Sequence, residues 1–354
     1  MRFCLVLSNL QAMRKLLSFA FILLFISSEA QIGGRGVYNF LDVVSSPRLA
    51  GLGSKAVAFD ENDLNFALAN PSLLRPAMHN QVSISNLNFP VGISSAEASY
   101  VYHKKGWATF QAGLKYLNYG QFDAANFQGI ITGSFTAADY AFILAASRKI
   151  DTNWNVGIQL KLINSVLETY TSWGIAADLA ASYHIPEKNI TFSLLLRNIG
   201  AQLTTYSGVR EPLPFEIQFG ISNKFQHMPF RWHVTFEHLQ QWDLSYFNPN
   251  LSQTDPLTGE FLDQEVSFGQ MLMRHVIVGA EFQMVPGFHF HAAYSFRRRA
   301  EMSMLTRRSS AGLSFGFGIR IFKTFFNYSR SIHHVAGTTN QVGLTIEIDK
   351  FKKK

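Results

Sequence analysis

The feature that most constrains this chain is an alternation of apolar and polar residues with a period of two. It recurs in segments of about ten residues, the length a tilted strand needs to cross a bilayer. In residues 154–162, Trp154, Val156, Ile158, Leu160 and Leu162 share one face, while Asn155, Gly157, Gln159 and Lys161 share the other. Phe288, Phe290, Ala292, Tyr294 and Phe296 stand in the same way against His289, His291, Ala293, Ser295 and Arg297. Near the C-terminus Val342, Leu344, Ile346 and Ile348 oppose Gln341, Gly343, Thr345, Glu347 and Asp349. Successive side chains of a strand point to opposite faces, so each segment has one oily and one wet side. A soluble sandwich with one solvated face alternates too.

The charges choose between the two. Lys115, Lys161, Asp178, Arg197, Glu216, Arg231, Glu237, Glu281 and Arg320 sit within strands on the polar faces, whereas the oily faces are almost free of charge. A barrel with a polar lumen and a lipid-facing skin requires that polarity. Tight turns at 103–106, 149–153, 185–188, 226–229 and 285–287 alternate with longer links at 121–133, 200–214, 240–273 and 298–308. The fold class is therefore all-β, a transmembrane outer-membrane barrel of about fourteen antiparallel strands with short inner turns and longer outer links. The strands are expected at 81–88, 95–103, 106–120, 134–149, 153–167, 172–184, 189–199, 215–225, 229–239, 274–285, 288–297, 309–320, 324–332 and 340–349. Residues 128–133 are read as link, because a further strand there breaks the even count. Tyr100, Tyr102, Trp107, Trp154, Trp173 and Trp232 fall near strand ends and suit interfacial girdles.

Residues 1–30 read as a secretory signal: basic Arg14 and Lys15, an apolar run from Leu16 to Ile26, and Ser28-Glu29-Ala30 as a cleavage site. Translation from Met1 or Met13 yields the same mature start at Gln31 and implies export to the outer membrane of a Gram-negative cell. The single cysteine, Cys4, lies in this segment, which excludes disulfides, thiolate metal sites and a cysteine nucleophile from the mature chain. No later stretch approaches the roughly 18 apolar residues of a membrane-spanning helix. The formal charge of +7 owes much to the signal and to Lys350, Lys352, Lys353 and Lys354, and no nucleic-acid-binding motif accompanies it. Residues 31–80 lack strand periodicity and carry the turn formers Gly51, Gly53 and Asn70-Pro71. They are expected to plug the lumen of the barrel formed by 81–354.

Several residues invite a chemical role. His289 and His291 share a strand face and His233 is a candidate neighbour; against a metal, the preferred reading is hydrogen bonding to lumen carboxylates such as Glu281. Gly316 and Gly318 lack the helix a phosphate loop needs and read as small lumen residues. No catalytic spacing occurs, so the expectation is a protein that is not an enzyme and holds neither cofactor nor metal. The basic run from Arg297 through Arg298 and Arg299 to Arg307 and Arg308 is a candidate contact for lipopolysaccharide phosphates, weighed against an ordinary solvated loop. Trp242 and Phe247, set among acids in the link 240–273, are candidate partner anchors, weighed against a link folded over the barrel mouth.

A resemblance adds to this reading. Ala50-Gly51-Leu52-Gly53, then Asp60 and Asp63, then Asn70-Pro71-Ser72-Leu73-Leu74 resembles the N-terminal signature of the fatty-acid-transporter (FadL-like) barrel superfamily. Gln31-Ile32-Gly33-Gly34-Arg35, Asn198-Ile199-Gly200, Arg210-Glu211-Pro212-Leu213-Pro214 and Met273-Arg274-His275 are similar to its PorV/PorQ branch, outer-membrane barrels of the type IX secretion system. The resemblance, and not the periodicity, implies a non-enzymatic anchor for a cell-surface attachment complex. It implies PorQ-like work beside PorV, PorU and PorZ, tethering secreted proteins to lipopolysaccharide. The alternative is a FadL-like channel for small hydrophobic molecules, which the mostly polar inward faces disfavour.

Overall fold

The computed structural model describes residues 36–245, 266–302, 310–334 and 337–351. The signal segment, Phe247, Arg307 and Arg308 lie outside them. Fourteen antiparallel strands form one closed barrel in which each strand pairs with its sequence neighbours and β1 (Gln81–Asn88) closes on β14 (Gly337–Glu347). Closure leaves no unpaired edge, the condition for carrying a backbone through lipid. The remaining strands are β2 (Ser94–Lys104), β3 (Ala108–Ala125), β4 (Ile131–Lys149), β5 (Trp154–Leu167), β6 (Tyr170–Ile185), β7 (Ile190–Thr204), β8 (Glu216–Lys224), β9 (Phe230–Phe236), β10 (Val276–Val285), β11 (Phe288–Ser295), β12 (Leu313–Ile321) and β13 (Thr324–His334).

The faces follow the alternation, with the oily side outward. Ile158, Leu160 and Leu162 are 43–49% exposed, while Gln159 and Lys161 between them are 1% and 3% exposed. In a sandwich the apolar face would be the covered one. No helix among the described residues is long and apolar enough to cross a membrane.

Three local features differ from the sequence expectation. Residues 131–133 extend β4 and pair with the end of β3, so the even count survives without a separate strand. These two strands, of 18 and 19 residues, overshoot the 9–11 or so that span a bilayer and carry the hairpin 119–137 past the rim. The link between β5 and β6 is only the pair 168–169, although it lies at the same end as the long links. Glu168 there takes φ 58°, and the Glu-Thr pair carries none of the Gly or Asn signals that announce such a turn. In β7 a bulge sets both Arg197 and Asn198 opposite Asp178, with Asn198 at φ 55°, so two consecutive side chains turn inward.

Ahead of β1, the segment 36–80 holds two short helices, α1 (Pro47–Gly51) and α2 (Leu64–Ala69), joined by turns. Asp63 caps α2 by accepting from Asn65 N at 3.0 Å, and Asn70 accepts from Ser72 N at 3.0 Å to start the next turn. Most of the segment is buried against inward-facing wall residues, and Val37 N donates to Pro212 O at 3.0 Å, beside the long link 205–215. On the long-link side, α3 (Phe268–Arg274) and α4 (Phe296–Met302) follow β9 and β11.

Candidate functional site in the barrel lumen

An ionised group removed from water must be paired. The wall offers acids that the N-terminal segment answers with bases. Arg48 of α1 donates from Nε to Glu281 Oε2 at 2.9 Å and from Nη2 to Glu281 Oε1 at 2.8 Å, a fork-to-fork pair. Its Nη1 reaches Asp63 at 3.1 Å, and Nη2 also pairs with Glu61. Lys55 lies 2.5 Å from Glu216 and 2.6 Å from Glu237. The wall bases are answered in turn. Lys115 donates to Leu41 O at 3.1 Å and to Val43 O, Arg197 sits 3.7 Å from Asp42, and Arg231 stands 3.5 Å from Glu61. Lys161 is satisfied within the wall by Asp178 and by Asn198 Oδ1, each at 2.8 Å. Burial alone would lift the Glu61 carboxyl, but Arg48 and Arg231 beside it pull it down to about 2.

Eight of the nine charges expected in the lumen are therefore buried there: Lys115, Lys161, Asp178, Arg197, Glu216, Arg231, Glu237 and Glu281. Arg320 departs. It is exposed at the end of β12 beside the turn 322–323, where it pairs with Glu347 at 2.9 Å and lies over the Phe325 ring. The parity of its position is inward, but the strand has already reached the short-turn rim.

Shape complements charge. A Cβ on Gly157 of β5 would fall 2.3 Å from the Pro71 carbonyl carbon, and one on Gly174 of β6 would fall 2.4 Å from the Tyr38 ring. Gly343 of β14 leaves the same room for Pro47, and Gly220 of β8 for Val57. These inward glycines are sockets for the segment. The signature residues are its fastenings. Asn70 Nδ2 donates to Val57 O at 2.6 Å, Pro71 fills the Gly157 socket, and Asp60 pairs with Arg75 and with His184. Gly51 lets α1 lie on the His291 ring, and Gly53, at φ 81°, passes Ile277 closely.

The space left over is divided into separate hollows lined by charged residues. A cavity of 40 Å³, with room for about three waters, lies between the segment and wall residues Glu97, Lys115, Lys161 and Arg197. Two larger hollows lie at the short-turn end. One of 290 Å³ is lined by Arg48, Glu61, Glu281 and His289, the other of 380 Å³ by Asp60, Arg75, Lys224 and Arg231. The apolar groove, 520 Å³, is on the outer wall beside the exposed Ile158, Leu179 and Leu194.

His289 and His291 do not hydrogen-bond to Glu281 as expected, because Arg48 holds both carboxylate oxygens. His291 is fully buried and neither of its ring nitrogens has a hydrogen-bond partner. Glu281 is paired across the sheet with His291, the neighbourhood the sequence reading expected, but the partner of the carboxylate is Arg48. His233 lies apart, against Phe59 and Gly279.

The surface candidates are at the long-link end. Trp242 is half exposed and stacks with His275 and Phe268, each ring at 5.2 Å. Arg298 and Arg299 belong to α4 rather than to an extended loop and are half-buried, while Arg297 is held at 3.1 Å by Glu237. Sequence reasoning passed over the projecting β3–β4 hairpin, whose Phe122, Phe127, Ile130 and Ile131 are exposed.

No protein-family model matches the chain, and no curated protein matches it. Solved structures do. The toluene transporter TbuX of Ralstonia pickettii superposes with a TM-score of 0.51 at 14% identity, over 88% of this chain and 98% of that one. A FadL homologue of Pseudomonas aeruginosa superposes with a TM-score of 0.50 at 9% identity, over 89% and 100%. The chain has the fold of FadL-like outer-membrane barrels.

Proposed function

We propose that this barrel is a non-enzymatic outer-membrane anchor whose lumen is closed by its own N-terminal segment and whose long-link face holds a cell-surface complex of the type IX secretion kind. The observation that carries the reading is the fit of residues 36–80 to the wall: charge answers charge, glycine sockets receive the chain, and the spaces left between them, of 40, 290 and 380 Å³, are separate hollows lined by ionised residues. A ligand pocket for a small molecule usually measures about 300–1,000 Å³ and is mostly apolar. The β3–β4 hairpin supports the anchor further, because exposed apolar side chains beyond the membrane mark partner contact more often than solute passage. Partners of the PorV, PorU and PorZ kind, and lipopolysaccharide at the basic α4 region, are the occupants that the sequence resemblance suggests.

The second reading is a FadL-like channel for small hydrophobic molecules. The structural neighbours favour it over the secretion anchor, since TbuX is described as a toluene transporter, although likeness of fold does not transfer function. The outer-wall groove is the feature of this chain that speaks for it.

Affinity isolation of the detergent-solubilised barrel, paired with toluene uptake by cells with and without it, separates the two. The anchor predicts envelope proteins co-isolating in fixed ratio, their loss when Phe127, Ile130 and Ile131 are changed to Ser, and unchanged uptake. Barrel-dependent uptake with no stoichiometric protein partner would overturn it in favour of the channel.

A further inference from the structure

We propose that Glu281, His289 and His291 form a site for one divalent transition cation, best matched by zinc, in the short-turn half of the lumen. His289 and His291 are two apart on the same face of β11, and Glu281 on β10 is the registered partner of His291. One donor atom from each of the three lies within 4.8 Å of the others, and all three residues are buried. Two imidazoles from alternate positions of one strand and a carboxylate from the next make a two-His, one-carboxylate set. Zinc accepts that set with a water as fourth ligand. Zinc–nitrogen bonds of about 2.0–2.1 Å place tetrahedral donors about 3.4 Å apart, so rotamer adjustment on the ångström scale closes the site.

Three further observations point to a ligand. His291 is buried with both ring nitrogens unpartnered, an unfavourable state for a group that can always find a bond in water. The 290 Å³ cavity that reaches the short-turn mouth is lined by His289 and Glu281, which provides an entry path and room for a water. The ionised groups around it are Arg48, Arg231 and Arg320 against Glu61, Asp63, Glu281 and Glu347, three positive and four negative, which leaves one negative charge.

Arg48 is the competitor, because it holds both oxygens of Glu281. It also pairs with Glu61 and with Asp63 at 3.1 Å, so it can yield one Glu281 oxygen and remain neutralised. The cation would then tie β10 to β11 at the point where Gly51 of the N-terminal segment rests on the His291 ring.

The test uses the full mature barrel in detergent, freed of any affinity tag, stripped with chelator and titrated with cobalt(II). One equivalent should bind with the intense visible bands of tetrahedral cobalt, and zinc should displace it. The double change His289→Gln with His291→Gln should weaken binding by at least about tenfold, the lower end of what losing even an outer-shell partner costs. His333→Gln, on another strand, should leave it unchanged. Absence of stoichiometric binding, equal binding by the double variant, or a spectrum of six oxygen ligands would overturn the site. If the double variant does not regain the folded, heat-modifiable band, X-ray absorption at the zinc edge of the loaded wild-type protein decides. A shell containing two imidazoles supports the proposal, and a shell without imidazole rejects it.

Discussion

The barrel wall and the segment within it are held by opposite means. The wall is periodic, and its stability comes from backbone pairing around a closed ring and from oily side chains turned toward lipid. The segment 36–80 has no period and no extended pairing with the wall. It is fixed side chain by side chain, through Arg48, Lys55, Asn70 and the glycine sockets of β5, β6, β8 and β14. The difference teaches that the wall tolerates conservative exchange along either face, while the segment depends on a few positions that cannot be exchanged singly.

The largest effect should come from removing one such position. Arg48→Ala leaves Glu281, Glu61 and Asp63 facing one another without their common cation. Breaking a buried pair costs about 3–5 kcal/mol, measured as a lowered urea midpoint of the refolded barrel. A midpoint shift below a quarter of that would mean the segment contributes little to the fold.

Next comes the outward face. Leu160→Arg in the middle of β5 should destabilise the barrel in lipid vesicles by about 2–4 kcal/mol, whereas Leu160→Ile should be close to neutral. Equal tolerance of both changes would break the distinction between an oily outside and a charged inside. Gly157→Val tests a socket: the new side chain meets Pro71 and should cost about 1–3 kcal/mol by overpacking. It should also raise protease cleavage near residue 71 without changing strand content. If cleavage does not rise, the socket is not a constraint.

The smallest effect is that of pH. Glu61 is held at about 2, below its ordinary 4.5, by Arg48 and Arg231. A carboxylate depressed in the folded state stabilises above its unfolded value and loses that contribution as pH falls through the folded one. Segment protection against protease should therefore be constant above pH 4.5 and decline toward pH 2, and Glu61→Gln should flatten the decline. Loss of protection on raising the pH instead would contradict the pairing.

Legibility from sequence followed the same division. Period two located all fourteen strands, β1 to the residue, and placed the buried charges of β3, β5, β6 and β7 on the inward face. It gave Arg320 its inward face but not its position at the mouth of the lumen, because parity gives a face and not a depth. It placed a link at 168–171 but not its tightness, because Glu168 takes a left-handed conformation without the usual residue for it. The partners of Arg48 and Lys55 are 233 and 161 positions away. No local pattern reports such contacts, although the inward glycines at 157, 174, 220 and 343 were a readable hint that something occupies the lumen. The nearness of Glu281 to His291 was anticipated, whereas the hold of Arg48 on both Glu281 oxygens was not.

Apart from Cys4, the chain contains no cysteine, so spin labels can be introduced one at a time into the mature barrel. Scanning positions 156–162 in lipid vesicles, with oxygen as the lipid-soluble quencher and a nickel chelate as the aqueous one, reads the environment of each face directly. Oxygen access should peak at 156, 158, 160 and 162 and fall at 157, 159 and 161, where the label meets the N-terminal segment or its charges. A scan without alternation, or one in which the odd positions are the lipid-exposed ones, would contradict the account at its root.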